Sequence, residues 1–318
     1  MMQIRTGVGL APYTIYKIGG PARFFVEAKN AADVADALRF AAQEGAPFFV
    51  MGAGSNVLVS DAGFDGLVIR MTGGDIKIEG QRVCADAGAM MARTVMEAAR
   101  AGLAGFEWGV GIPGTVGGSV RGNAGCFGGQ MQDVVQEVKI FDASSAASRR
   151  LAAEECEFGY RHSVFKKHPE WIVLSATLHL HPGERAAIQQ RVKEITVERG
   201  GKQAIGAKSC GCIFKNIAWE SIGRDRKEML KKFPILSQFA DRERVPASFL
   251  IDRASLKGSR EGHAFISGQH ANFFVNEGGA TACDVRNLIE RAKEKVASVF
   301  GVLLEEEIQY VGFSEPAS

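Results

Sequence analysis

The stretch GVGIPGTVGGSVRGNAGCFGG, residues 109–129, decides between two architectures. Its opening, GVGIPG at 109–114, is a literal G-x-G-x-x-G, with Asp133 at about the spacing of a ribose-binding acid. That dinucleotide fingerprint needs a buried strand before it and a helix straight after it, because the helix N-terminus holds the pyrophosphate. Here TVGGSVRGNAGCFGG follows, and each glycine inside a helix costs about 1 kcal/mol relative to Ala. The expectation is therefore a loop without a helix, wrapped closely around a flat or phosphorylated ligand with backbone amides as donors.

Upstream, GAGSNVLV at 52–59 follows directly on an apolar strand pattern. Gly52 and Gly54 permit backbone conformations that aim successive N–H groups at one point, and Ser55 and Asn56 add side-chain donors. A pyrophosphate fits such a nest; a plain glycine turn between two strands fits the short segment as well. Around it, RFFVEA, a helical pattern over 31–44, PFFVM and GLVIRM read as strand, helix, strand, loop, strand. Asn30 is the expected N-cap, and Gly45 the stop. A second block, about 76–181, holds a helix over 90–100 and strands at VKIFDA and WIVLSATLHLH. A helix over 184–198 leads into a third region, which closes with a helix opened by Thr281 and Asp284 in capping-box spacing and a strand at IQYVG.

A chain of 318 residues, 46% hydrophobic, has enough apolar material for two or three packed domains. A net charge of +2 against 23% charged residues provides no general field for nucleic acid or an anionic membrane. No apolar run is long enough to span a bilayer and the first residues do not look like a leader, so the expected location is the cytoplasm. The 6 cysteines are scattered rather than dense, which suits reduced thiols. Cys210 and Cys212 form a C-x-C without a second pair at structural-zinc spacing, so no metal is expected.

Taken together, YKIGGPARFF, GAGSNVLVSDAGFDGLVIR, GIPGTVGGSVRGNAGCFGG, YRHSVFK, CGCIFKN, HANFFVN and LEEEIQYVG resemble, in order and over nearly the whole chain, the UDP-N-acetylenolpyruvoylglucosamine reductase family. That family is of the FAD-binding vanillyl-alcohol oxidase type. The resemblance implies an α+β protein: a two-part FAD-binding α/β region (1–73 and 74–183), then an α+β substrate-binding domain (184–318). The segment 217–245, which contains RDRKEMLKKF, is longer than the family's link and reads as an inserted amphipathic helix.

By the same resemblance, Gly52, Ala53, Gly54, Ser55, Asn56 and Val57 lie at the FAD pyrophosphate. Gly111, Ile112, Pro113, Gly114, Thr115, Gly117, Gly118, Ser119 and Asn123 run along the phosphates and the isoalloxazine. The catalytic arginine matches Arg161, whose fork geometry suits a carboxylate. The catalytic glutamate matches Glu307, with Glu305 and Glu306 expected to face solvent. The proton donor, commonly serine, matches Cys212; an unperturbed thiol, pKa about 8.5, is protonated at neutral pH and acidic enough to protonate a carbanion. Arg199 and Lys202 match basic positions used toward substrate or cofactor phosphates, and Asn216 a binding asparagine. His270 and Asn272 belong to the HANFFVN signature.

The implied reaction is NADPH-dependent, FAD-mediated reduction of UDP-N-acetylglucosamine enolpyruvate to UDP-N-acetylmuramate in peptidoglycan precursor synthesis. Such an enzyme needs the UDP-sugar and NADPH as partners, and no nucleic acid or membrane insertion; a monomer or weak homo-oligomer is expected. Two alternatives stay open at this point. One is a flavin oxidoreductase of the same fold acting on another substrate, and the other a catalytically silent nucleotide-binding module.

Overall fold

The computed structural model describes residues 2–202, 206–222 and 226–313. The chain divides into two compact units. The first comprises Met1–Gly9, Pro21–Ser55 and Gly63–Lys202, the second Leu10–Gly20, Asn56–Ala62 and Gln203–Ser318. This is a different cut from the three consecutive blocks expected: the helix Arg185–Lys202 belongs with the first unit, and two short early segments belong with the second.

In the first unit a 4-stranded sheet has Arg5–Gly9, Pro21–Ala28, Phe64–Met71 and Phe48–Met51 in that spatial order. Pro21–Ala28, Phe64–Met71 and Phe48–Met51 run parallel, as the strand–helix–strand pattern required. The intervening helix Ala31–Gln43 begins where expected: Asn30 Oδ1 accepts from the N–H of Ala32 at 2.9 Å and of Asp33 at 3.1 Å. A 5-stranded antiparallel sheet follows, built around Val135–Asp142 and Trp171–His179. Val26, Ile69, Val83, Met91, Val138 and Ile140, contributed by both sheets and the helix Met91–Arg100, lie in one continuous core.

The glycine-rich stretch corrects one expectation. Residues Val116–Gly122 form a helix, although the glycine content argued against any. Thr115 Oγ1 caps it by accepting from the Gly118 N–H, and Asn123 ends it in the left-handed conformation at φ 42°. Val116 and Val120, one turn apart, are fully buried in the first core. Burial at roughly 1.5–3 kcal/mol for each such side chain is large enough to offset the glycine penalty. The dinucleotide fingerprint is still absent here: a 3₁₀ turn, Glu107–Gly111, precedes this helix instead of a strand, and Asp133 accepts from the Gln130 N–H.

In the second unit Val57–Val59 pairs in parallel with Gln309–Val311, and Arg260–Glu261, Ala264–Ile266 and Phe274–Asn276 make a 3-stranded sheet. The helix Ala282–Phe300 carries the expected capping box of Thr281 and Asp284. The Asp61 carboxylate strengthens that helix start, accepting from the N–H of Ala282 at 2.8 Å and of Cys283 at 3.1 Å. The segment 217–245 contains the short helix Arg226–Lys232 and is closed at its base by Ile217–Ala218 pairing with Arg244–Val245. Trp219, Met229, Leu236 and Phe239 anchor it in the second core.

Candidate active site

The two glycine loops meet inside the first unit. A Cβ on Gly52 would lie 2.3 Å from Thr115 Oγ1, and one on Gly114 would lie 2.7 Å from Ser55 Oγ. Gly114 also has φ +127°, which a side chain strongly disfavours. Contact this close brings the backbones of 52–55 and 114–115 together. Among the described residues, the N–H groups of Ala53, Gly54, Ser55, Gly114 and Thr115 have no protein acceptor. Gly54, Gly114 and Thr115 are buried, and amides in buried positions are almost always bonded. A group of amides brought together without protein acceptors suits a pyrophosphate, so the residues present fit the phosphates of FAD.

The remaining candidates along the loops do different things. The Ile112 N–H donates to the Gly109 carbonyl at 3.1 Å, Pro113 is exposed, and Gly111 lies against Arg199. The N–H groups of Gly117 and Ser119 are bonded to the carbonyls of Ala87 and Thr115. Gly118 is exposed at the surface of its helix. Asn123 is fully buried; its Nδ2 donates to Gln132 Oε1 and the Gly159 carbonyl, each at 2.8 Å, and its Oδ1 accepts from the Gln132 N–H. The Asn123 side chain thus ties the glycine loop to the segment that carries Arg161. Asn56 and Val57, the last residues of the first loop, fall in the second unit.

Arg161 has φ 52°, a left-handed conformation that is uncommon for a non-glycine residue and costs of order 1 kcal/mol or more. Its Nη2 donates to the Gly125 carbonyl at 2.7 Å, its own carbonyl accepts from Lys166 Nζ at 2.8 Å, and its guanidinium lies 5.3 Å from the Tyr160 ring centre. Arg199, in the last turns of the helix Arg185–Lys202, places Nη1 3.7 Å from the sulfur of Cys126. The side chain of Lys202 lies outside the described residues.

Cys212 and Glu307 belong to one ladder in the second unit. Cys212 bridges to Phe273, the Ile213 N–H donates to the Asn272 carbonyl, and the Glu307 N–H donates to the Ile213 carbonyl at 2.7 Å. Asn272, buried, accepts from the Phe214 N–H at 2.9 Å and donates to the Phe214 carbonyl at 2.7 Å, which pins the donor segment from one side. Burial pushes the Cys210 thiol well above its ordinary value, with smaller contributions in the same direction from the neighbouring Cys212 and Glu307. Glu305 is exposed and paired with Lys215, as expected. Glu306 is not solvent-facing: strand pairing with Phe214 places it beside Lys293, 3.0 Å away, with its side chain 17% exposed. Asn216 Oδ1 accepts from the Ala247 N–H at 3.2 Å at the start of the helix Ala247–Arg253.

Sequence reasoning left Cys126 without a role, although it stands in the quoted glycine-rich motif, and its contact with Arg199, 73 residues away, is a tertiary one. It also left Asn272 without a role, although the residue stands in a quoted signature.

Comparison with known proteins places the chain among named families. The family described as "FAD binding domain" matches residues 22–147, and "UDP-N-acetylenolpyruvoylglucosamine reductase, C-terminal domain" matches residues 203–311. The UDP-N-acetylenolpyruvoylglucosamine reductase of Synechococcus sp. (strain JA-3-3Ab) is 38% identical over 99% of this chain and 93% of its own length. That of Gloeobacter violaceus is 35% identical over 98% and 97%. The crystal structure of the reductase from Thermus caldophilus superposes with a TM-score of 0.77 at 34% identity, covering 98% of this chain and all of that one. With both glycine loops and the Cys212–Glu307 ladder inside the matched length, the chain belongs to the UDP-N-acetylenolpyruvoylglucosamine reductase family.

Proposed function

We propose that this chain is a cytoplasmic, NADPH-dependent flavoenzyme that reduces the enolpyruvyl group of UDP-N-acetylglucosamine enolpyruvate to give UDP-N-acetylmuramate. The observation that carries this reading is the end-to-end similarity to named reductases, which takes in the amide cradle and the Cys212 ladder together. Among the described residues no helix is long and apolar enough to cross a membrane.

Bound FAD would supply hydride chemistry, linking the reducing equivalent of NADPH to the terminal methylene carbon of the substrate. The chain's own residues do the rest. The amides of Ala53, Gly54, Ser55, Gly114 and Thr115 hold the cofactor's pyrophosphate. Hydride arrival leaves carbanion character on the neighbouring carbon, delocalised into the carboxylate. Arg161, a permanent cation, binds that carboxylate and stabilises the added charge. Glu307 polarises the same group. Cys212 delivers a proton from Sγ to the carbanion, so hydride and proton together saturate the double bond, and the thiolate recovers its proton from solvent. Arg199 and Lys202 bind phosphate oxygens.

Steady-state assay tests the reading. NADPH oxidation that depends on UDP-N-acetylglucosamine enolpyruvate is the expected result. Oxygen consumption with a small alcohol, without any response to the UDP-sugar, would replace it with an oxidase of the same fold.

A further inference from the structure

Gly125 and Cys126 are consecutive, and each holds one of the two arginines assigned to the substrate. The Gly125 carbonyl accepts from Arg161 Nη2 at 2.7 Å, and the Cys126 sulfur accepts from Arg199 Nη1 at 3.7 Å. Cys126 is itself oriented, because its Sγ lies 2.9 Å from the Trp108 carbonyl, to which the thiol proton is given. Burial raises the Cys126 thiol above its ordinary value, against the pull of Arg199 and Arg161, so at neutral pH the S–H form is kept and goes on donating to that carbonyl. The sulfur lone pairs are then left for the guanidinium. On its other side Arg199 is fixed by packing: a Cβ on Gly111 would fall 2.3 Å from Arg199 Cδ, so the side chain lies directly against the glycine-loop backbone. Beside this cluster a cavity of about 320 Å³ opens, walled in part by Trp108, Phe127, Arg191 and Ile195.

We infer that Cys126 is a positioning residue for Arg199, setting the guanidinium against the glycine loop so that its free N–H edge meets an anionic group of the UDP-sugar. The inference rests on the proposed function in taking Arg199 as a substrate contact. A weak sulfur acceptor acting on a charged donor affects binding more than chemistry, and its loss is expected to weaken binding about tenfold.

The test compares Cys126→Ala and Cys126→Ser in the flavin-loaded protein. The Ala variant should raise KM for the UDP-sugar about tenfold, with kcat and the rate of flavin reduction by NADPH within about twofold of wild type. The Ser variant, which can still donate to Trp108 and accept from Arg199, should recover most of the affinity. A wild-type KM in the Ala variant, or a Ser variant no better than Ala, overturns the assignment. A wild type with no response to the UDP-sugar sinks the proposed function instead. A crystal structure of the Ala variant decides the positioning claim in either event: Arg199 displaced from Gly111 supports it, and Arg199 unmoved overturns it.

Discussion

Asn56 Nδ2 donates to the carbonyl of Glu307 at 3.1 Å, across 251 residues of sequence, and the Asn56 carbonyl accepts from the Gln309 N–H at 3.0 Å. The last polar residue of the first glycine loop therefore holds the segment that leads from Glu307 into the strand Gln309–Val311. Removing the Asn56 amide should loosen Glu307 without touching the amides of Ala53, Gly54 and Ser55. We expect Asn56→Ala to lower kcat about tenfold and stability by about 1 kcal/mol while flavin content stays near wild type. Asn56→Asp should be worse, because a carboxylate oxygen then faces the Glu307 carbonyl. Flavin absorbance, kcat and a thermal melt of each variant check this.

Close contact of the two glycine loops gives a second expectation. Gly52→Ala forces a methyl group to 2.3 Å from Thr115 Oγ1, whereas Gly122→Ala meets nothing within 4 Å. The first should cost about 1–3 kcal/mol of stability and empty most of the flavin site; the second should leave both unchanged. The ratio of flavin to protein absorbance after purification separates them. Equal flavin content in the two variants would remove the cradle from the account.

Cys212 is assigned the proton-donating step, and its variants divide the two half-reactions. Cys212→Ser should keep substantial activity. Cys212→Ala should be reduced by NADPH at the wild-type rate and then fail to be reoxidised by the UDP-sugar, slowed 10²-fold or more. Stopped-flow absorbance of the flavin reads both steps. Reoxidation at the wild-type rate in Cys212→Ala would take Cys212 out of the mechanism.

How much of this was legible in the sequence depends on how local the cause is. The helix after Asn30 and the helix after Thr281 were readable, because caps and periodicity lie within a few residues of each other. The helix Val116–Gly122 was not: intrinsic propensity speaks against it, and the burial of Val116 and Val120 that overrides propensity is a tertiary effect. Glu306 was misplaced for a similar reason, since its partner Lys293 sits on the helix Ala282–Phe300. The candidate positions came from resemblance of ordered motifs, while their partners, Asn272 for the Cys212 segment and Cys126 for Arg199, emerged only from the folded chain.

The cysteines offer a check on the packing that is independent of catalysis. Cys84 and Cys283 are exposed, while Cys156 and Cys210 are buried. Burial, with smaller contributions from Glu155 and Glu154, pushes the Cys156 thiol up to about 12. A raised thiol pKa adds stability that is fully present below the unfolded value, about 8.5, and is lost as pH rises from there toward the folded value. Native protein at pH 8 should therefore react quickly with a thiol reagent at Cys84 and Cys283 and slowly at Cys156 and Cys210. Mass spectrometry of the labelled peptides tests this, with all sites expected to react once the protein is unfolded.

The most direct test of the central claim is an anaerobic titration of the purified protein followed at the flavin absorbance band near 450 nm. NADPH should bleach the band, and UDP-N-acetylglucosamine enolpyruvate added afterwards should restore it with one equivalent of UDP-N-acetylmuramate formed. A colourless protein that takes up no FAD, or a bleached flavin that the UDP-sugar leaves bleached, would contradict the account.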